Sequence, residues 1–482
     1  MEDVSGQTAG GRPAAGWRRK ALAAAGLVSA VTALAIAAGC GAGSVGAVQD
    51  AGATTPPAKP QHDVAFSGGS SVPGASASAR SGSATSTLSR GAATRTGRTY
   101  SATARDRSAV RVRGGAALTL KRCLILKTGG TSSLDDSSFY GLNAAVLVKT
   151  GSTARLKACT VKANASGANG VVATGAGARV FMTGGRVVAA GQGAHGVDAT
   201  LGGAITAKDV RITTSGANAA ALATDHGGGT IVVKGGSMTT SGADSPGIYS
   251  TGLSTISGAT IKATGAEAVV IEGTNSITLD DTSLTTNVAG KWGVMIYQSM
   301  SGDAEGAEGT FAMTGGSLTS TASDGPLLYV TDSTGVITLT GVKVTAGSGT
   351  LVQAAAGRWG TSGSNGGHAE LEARRQSLTG DLVADGISSL VLSLTDGSTL
   401  TGAIDAAGVA RSANLALDAS STWTVTADSH LTALSDDAGI SGTTVTNIVG
   451  NGHTVTYDAA ANATLGGKTF SLQGGGTLEP AS

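Results

Sequence analysis

Acids and aromatic residues that could do chemistry recur at a fixed interval in this 482-residue chain. Asp198, the pair Asp225-His226, Tyr249, Glu272 and Tyr297 each follow a short apolar run, roughly 25 residues after the one before. Two long insertions leave from the same point of the period. One runs from Gln298 and carries Asp303, Glu305 and Glu308; the other, residues 354–367, carries Arg358 and Trp359. Trp292 stands just before the run that ends in Tyr297. Exposed Tyr and Trp faces beside carboxylates suit a polysaccharide, because the ring stacks on a sugar C–H face and the carboxylates accept its hydroxyl hydrogens. In the competing reading, Tyr249, Glu272 and Tyr297 stack as solvated ladder residues, while Trp292 and Trp359 pin the insertions. Glu272 and Asp303 at about 5–9.5 Å would have the spacing of a glycosidase pair. Asp303 and Glu305 offer oxygens to Ca²⁺, but no dense Asp ladder supports them. His195, His226 and His368 lack metal-ligand spacing, and no nucleophile elbow, P-loop or dinucleotide fingerprint occurs. No metal site and no cofactor are expected.

The elements that position these residues come from the repeat. Val146, Val172, Val197, Leu222, Ile248, Ile271 and Ile296 open successive periods. A second run follows in each, such as Val180-Phe181-Met182 or Ile231-Val232-Val233, and then a third, such as Arg186-Val187-Val188. Three short strands per period separated by Gly, Asn or Ser turns, with no sustained 3.6-residue spacing, predict an all-β fold. The expected architecture is a single right-handed parallel β-helix (β-solenoid) of ~25 residues per coil. One coil cannot bury its inner face, so coils stacked at ~4.8 Å must share a ladder of Val, Ile, Leu, Ala and Thr. Residues 445–478 keep alternating and are expected to cap the open edge. Cys123 and Cys159 fall at equivalent positions of neighbouring coils, about 4.8 Å apart, where a disulfide or a buried pair of free thiols would fit.

Composition agrees. Gly contributes 76 residues, aromatics 3% and charged residues 13%, too few large side chains for one bulky globular core, while 40% hydrophobic content argues against disorder. Up to Arg113 the chain carries 13 Lys/Arg against 5 Asp/Glu, and the remainder 20 against 27. The leader reads as basic and the body as mildly acidic, without the cationic groove and aromatic platforms that nucleic acid needs.

The N-terminus reads as an address. Arg12, Arg18, Arg19 and Lys20 precede an uncharged run from Ala21 to Ala38 that ends in Ala37-Ala38-Gly39-Cys40. Residues 1–39 resemble a bacterial lipoprotein signal peptide, which implies acylation of Cys40, although Ala37 stands where Leu is more usual. The alternative is an uncleaved membrane anchor. Residues 40–109 are expected to form an Ala/Gly/Ser/Thr-rich tether with a basic end, and residues 110–482 the solenoid.

The stretches Phe139–Ala145, Ala223–Gly229, Ser245–Thr251, Tyr297–Glu305 and Trp359–Gly367 resemble those of exported, adhesin-like bacterial β-solenoid proteins. The resemblance spans most of the chain from about Lys127 and implies fold and address without implying a reaction. Three functions follow as expectations. The first is a non-enzymatic, monomeric envelope rod binding envelope or extracellular polysaccharide, or a host or neighbouring cell surface, and held to a membrane through its lipid. The second is a polysaccharide lyase or glycoside hydrolase using the acids of that edge. The third is a purely structural envelope role.

Overall fold

Short β-branched runs broken by Gly and Asp turns wind into a parallel β-solenoid. The computed structural model describes residues 81–299 and 307–481. Most coils contribute one strand to each of three sheets, with 12 strands in the first, 14 in the second and 10 in the third; later coils build a fourth sheet of 9 strands that starts at Ser377–Thr379. Pairing between coils is parallel and in register: Val146, Val171 and Val197 face one another in the first sheet, and Ala154, Val180 and Ile205 in the second. At ~4.8 Å per strand the second sheet spans roughly 60 Å. At the C-terminal end the strand Phe470–Gln473 pairs antiparallel with Thr477–Pro480.

Strands of the second and third sheets alternate between buried and exposed positions, as in Arg179–Thr183 and Arg186–Ala189, because one face lines the core and the other meets water. Sharp corners join these two sheets through single residues in the left-handed region. Arg122, Ala158, Asp209 and Asp281 hold φ between 43° and 53° there, with Gly at the corresponding corner of other coils. The next residue turns inward, which places Cys123 and Cys159 in the core as buried free thiols; the Cys159 thiol lies 3.4 Å from the Leu120 carbonyl oxygen. Burial pushes the Cys159 thiol above its usual range, so it resists ionisation.

Three features differ from the sequence reading. The solenoid already includes part of the stretch expected to be tether: Ala84–Leu88, Ala92–Thr96 and Thr99–Ala102 pair in register with the next coil. Those strands carry few large apolar residues, so their periodicity is faint. The insertion between the two cysteines contains a seven-residue helix, α1 (Leu134–Tyr140), capped by the Ser133 hydroxyl, which accepts from the Asp136 N–H at 3.0 Å. Finally, the middle strands of the first sheet do not alternate. Val171–Thr174, Val197–Thr200, Val269–Glu272 and Val294–Tyr297 are buried on both faces. A second apolar layer therefore lies outside the solenoid core on this sheet, and it includes the expected edge residues.

Candidate functional site

Register brings the expected column together. Glu272 pairs with Tyr297 across one coil step, and Tyr249 with Val270 across another. The column is not solvated, however. Glu272 is 0% exposed, Tyr249 and Tyr297 are each 1% exposed, and Trp292 and Trp359 are 7% and 6% exposed. The Glu272 carboxylate is held by three hydroxyls. Tyr249 donates to Oε2 at 2.5 Å, Tyr297 donates to the same oxygen at 2.8 Å, and the Ser299 hydroxyl donates to Oε1. A buried carboxylate without such donors would cost several kcal/mol, whereas charge-assisted bonds from the coils on either side make it a crosslink.

The aromatic residues surround this node. The Trp292 ring stacks on Tyr329 at 4.3 Å and 14°, and Tyr297 meets Trp359 at 4.8 Å and 53°. Tyr329 stands one coil beyond Met295, in register with it. Asn365 pins the second insertion by donating to the carbonyl oxygens of Gly357 and Trp359, both at 2.7 Å. Arg358 is exposed, and its guanidinium lies 4.7 Å above the Trp359 ring. Lys291, next to Trp292, pairs with Asp244 at 2.8 Å and with the buried Glu267 at 3.5 Å. Rings expected to be exposed for sugar stacking are instead buried: the loop around Trp359 packs on the outer face of the first sheet, and the rings there form a second core.

Nearer the N-terminus, α1 covers the same face. His226 stacks on Phe139 at 4.4 Å, Thr200 donates to the Phe139 carbonyl oxygen at 2.8 Å, and Asn169 donates to that of Ser137 at 2.9 Å. Under the helix, the His195 Nε2 lies 3.4 Å from both Asp225 Oδ2 and the Ser138 hydroxyl, while the Ala220 N–H donates to Nδ1 at 3.1 Å. Serine and carboxylate share one ring nitrogen, so this is not a catalytic triad, which uses both. Burial first, and the neighbouring Asp225 carboxylate second, hold the Asp198 carboxyl well above the usual carboxylate range.

That shift has a sign. A carboxyl with a raised folded-state pKa binds more protons folded than unfolded, so stability falls as pH climbs from about 4 toward the raised value, by at most about 1.4 kcal/mol per pH unit. Asp198→Asn keeps an acceptor for the Asp225 N–H, which reaches Asp198 Oδ1 at 3.4 Å, and should flatten this slope. Urea unfolding at pH 4.5 and pH 7.5 checks it; equal pH dependence in the variant and the parent would refute the assignment.

Of the expected site residues, the structure joins Tyr249, Glu272, Tyr297, Trp292, Trp359 and Arg358 in one cluster, and places Asp225 and His226 under α1 in another. Asp303, Glu305 and Cys40 lie outside the described residues. Among the described residues no group of three or more His, Cys, Asp or Glu side chains could hold a metal ion. Sequence reasoning missed Ser299 and Tyr329. Tyr329 was signalled only by the uninterrupted run Leu327-Leu328-Tyr329-Val330, which marks a strand buried on both faces. Compared with protein families, curated proteins and solved structures, the chain finds no match.

Proposed function

We propose that this protein is a non-enzymatic envelope rod, adhesin-like and binding polysaccharide through its outer surface, with a right-handed solenoid as a rigid spacer. The observation that carries the reading is the state of Glu272. It is the acid best placed on the expected catalytic edge, yet it is 0% exposed and both its oxygens accept hydroxyl hydrogens from neighbouring coils. A general acid or nucleophile has to touch its substrate. Exposed positions of the second and third sheets, repeated coil by coil, instead offer a long regular surface to a long regular ligand.

The experiment sets a glycan-array measurement on the full chain beside an assay for released reducing ends and unsaturated products. Saturable binding without bond cleavage supports the reading. Turnover that disappears in Glu272→Gln would overturn it in favour of a lyase or hydrolase. Residues 1–39 as an export signal, Cys40 as the lipidation site and the stretch that follows as a tether complete the proposal. Radiolabelled palmitate should enter the protein in cells and be lost completely in Cys40→Ala; equal labelling of the two would contradict the anchor.

A further inference from the structure

Stacking the coils exposes a charge pattern that the chain's near-zero net charge conceals. Residues 81–240 carry 19 Lys/Arg against 6 Asp/Glu, whereas residues 241–482 carry 8 against 22. Of those six acids, Asp198 and Asp225 are buried, Asp106, Asp135 and Asp136 half-buried, and Asp209 alone is exposed, so the bases outnumber the acids on the surface. The bases gather at the corner between the second and third sheets. Lys121 stands opposite Lys157 in register, Lys208 opposite Lys234, and Thr183 separates the two pairs. Across the corner, Arg186 stands opposite Arg211. Lys157, Lys208, Lys234, Arg186 and Arg211 are all exposed.

Like charges directly opposite one another on adjacent strands are destabilising. Here three such pairs occur within a few coils. No carboxylate lies within ion-pair distance of these five side chains among the described residues. A cavity of about 340 Å³ opens between Arg186, Arg211, Asp209, Gly185 and Gly236, because glycine at the corner leaves room beside the guanidinium groups. One coil earlier, the Arg155 guanidinium lies 4.3 Å over the half-buried Phe181 ring, extending the cationic surface onto the second sheet.

We infer that this corner is a binding ribbon for a linear acidic polysaccharide, laid along the solenoid axis with its carboxylates against the Lys and Arg columns. The inference rests on the polysaccharide-binding reading above and names the ligand class and its place. Paired bases stand one coil apart, ~4.8 Å, and Thr183 doubles the step between Lys157 and Lys208, spacings comparable to a carboxylate on every sugar unit or every second one. Duplex DNA is a poorer fit, with a charge every ~1.7 Å of its axis. Single strands want successive aromatic platforms, and the Phe181 ring, on the outer face of the second sheet, is covered by Arg155.

The test measures binding of alginate, a linear uronic-acid polymer, to the full chain by affinity electrophoresis, with dextran, duplex DNA and phosphatidylserine vesicles as comparisons. The triple variant Lys157→Glu, Lys208→Glu, Lys234→Glu should weaken alginate binding at least ten-fold. Arg90→Glu, Arg411→Glu, Lys468→Glu makes the same change in net charge at exposed sites off both columns and should alter binding less than two-fold. Unchanged far-UV circular dichroism confirms that both variants fold. If the ribbon triple does not fold, Arg186→Gln with Arg211→Gln replaces it, with a three-fold or greater loss expected. Equal losses in the two triples, or no loss in either, overturn the ribbon. Tighter binding of DNA or vesicles than of alginate overturns the ligand class. Dextran bound and alginate not bound overturns the ribbon and leaves the polysaccharide reading standing; no glycan bound overturns both.

Discussion

Glu272→Ala should cost roughly 3–5 kcal/mol of local stability, the range for removing one partner of a buried charged network. Three hydroxyls, from Tyr249, Tyr297 and Ser299, would then face a cavity with no carboxylate to receive them. Stability in a repeat protein is a sum of coil and interface terms, so the loss need not appear as one global transition. Hydrogen exchange on Val269–Glu272 and Val294–Tyr297 reads it directly: protection there should fall by two orders of magnitude or more, with the N-terminal coils unchanged. Unaltered exchange together with lost glycan binding would make Glu272 a ligand-contacting group and contradict the structural role assigned to it.

Gly216→Ala should be similarly damaging for a different reason. A Cβ at Gly216 would lie 1.8 Å from the Gly191 carbonyl oxygen; one at Gly242 would lie 1.8 Å from that of Gly216, and one at Gly191 1.8 Å from that of Ala165. The column is glycine because each coil turns against the backbone of the one before. No rotamer relieves a Cβ clash with main chain, so the coils must separate locally. A loss of roughly 3 kcal/mol or more, above the usual cost of overpacking, is expected, with a lower unfolding temperature and reduced soluble yield. The neighbouring exposed Ser215→Ala should change stability by less than about 0.5 kcal/mol. Equal stability of Gly216→Ala and the parent would mean that the coils do not stack in this register.

The fold was legible because its cause is local and repeated. Runs such as Val180-Phe181-Met182 and Ile231-Val232-Val233 each announce a strand, and their spacing announces the stack. The side of the first sheet that faces water was not legible in the same way. Tyr249 and Tyr297 read as edge residues because polar turns follow them, but α1 and the loop around Trp359 arrive from elsewhere in the chain and cover that face. The remaining signal was the unbroken apolar character of Val269-Val270-Ile271 and Val294-Met295-Ile296, which requires burial on both faces. The basic ribbon was hidden for the opposite reason. Lys157, Lys208 and Lys234 are scattered along the chain and become neighbours only when coils are stacked, while acids in the C-terminal half cancel them in any overall count.

The central claim is that the expected edge is internal architecture and that ligand binding belongs to the outer corner. Lysine acetylation read by mass spectrometry, with and without saturating alginate, tests it most directly. Alginate should slow modification of Lys157, Lys208 and Lys234 several-fold and leave Lys291, beside Trp292, as it was. Protection confined to Lys291, with the corner lysines modified at the same rate in the presence of alginate, would contradict it.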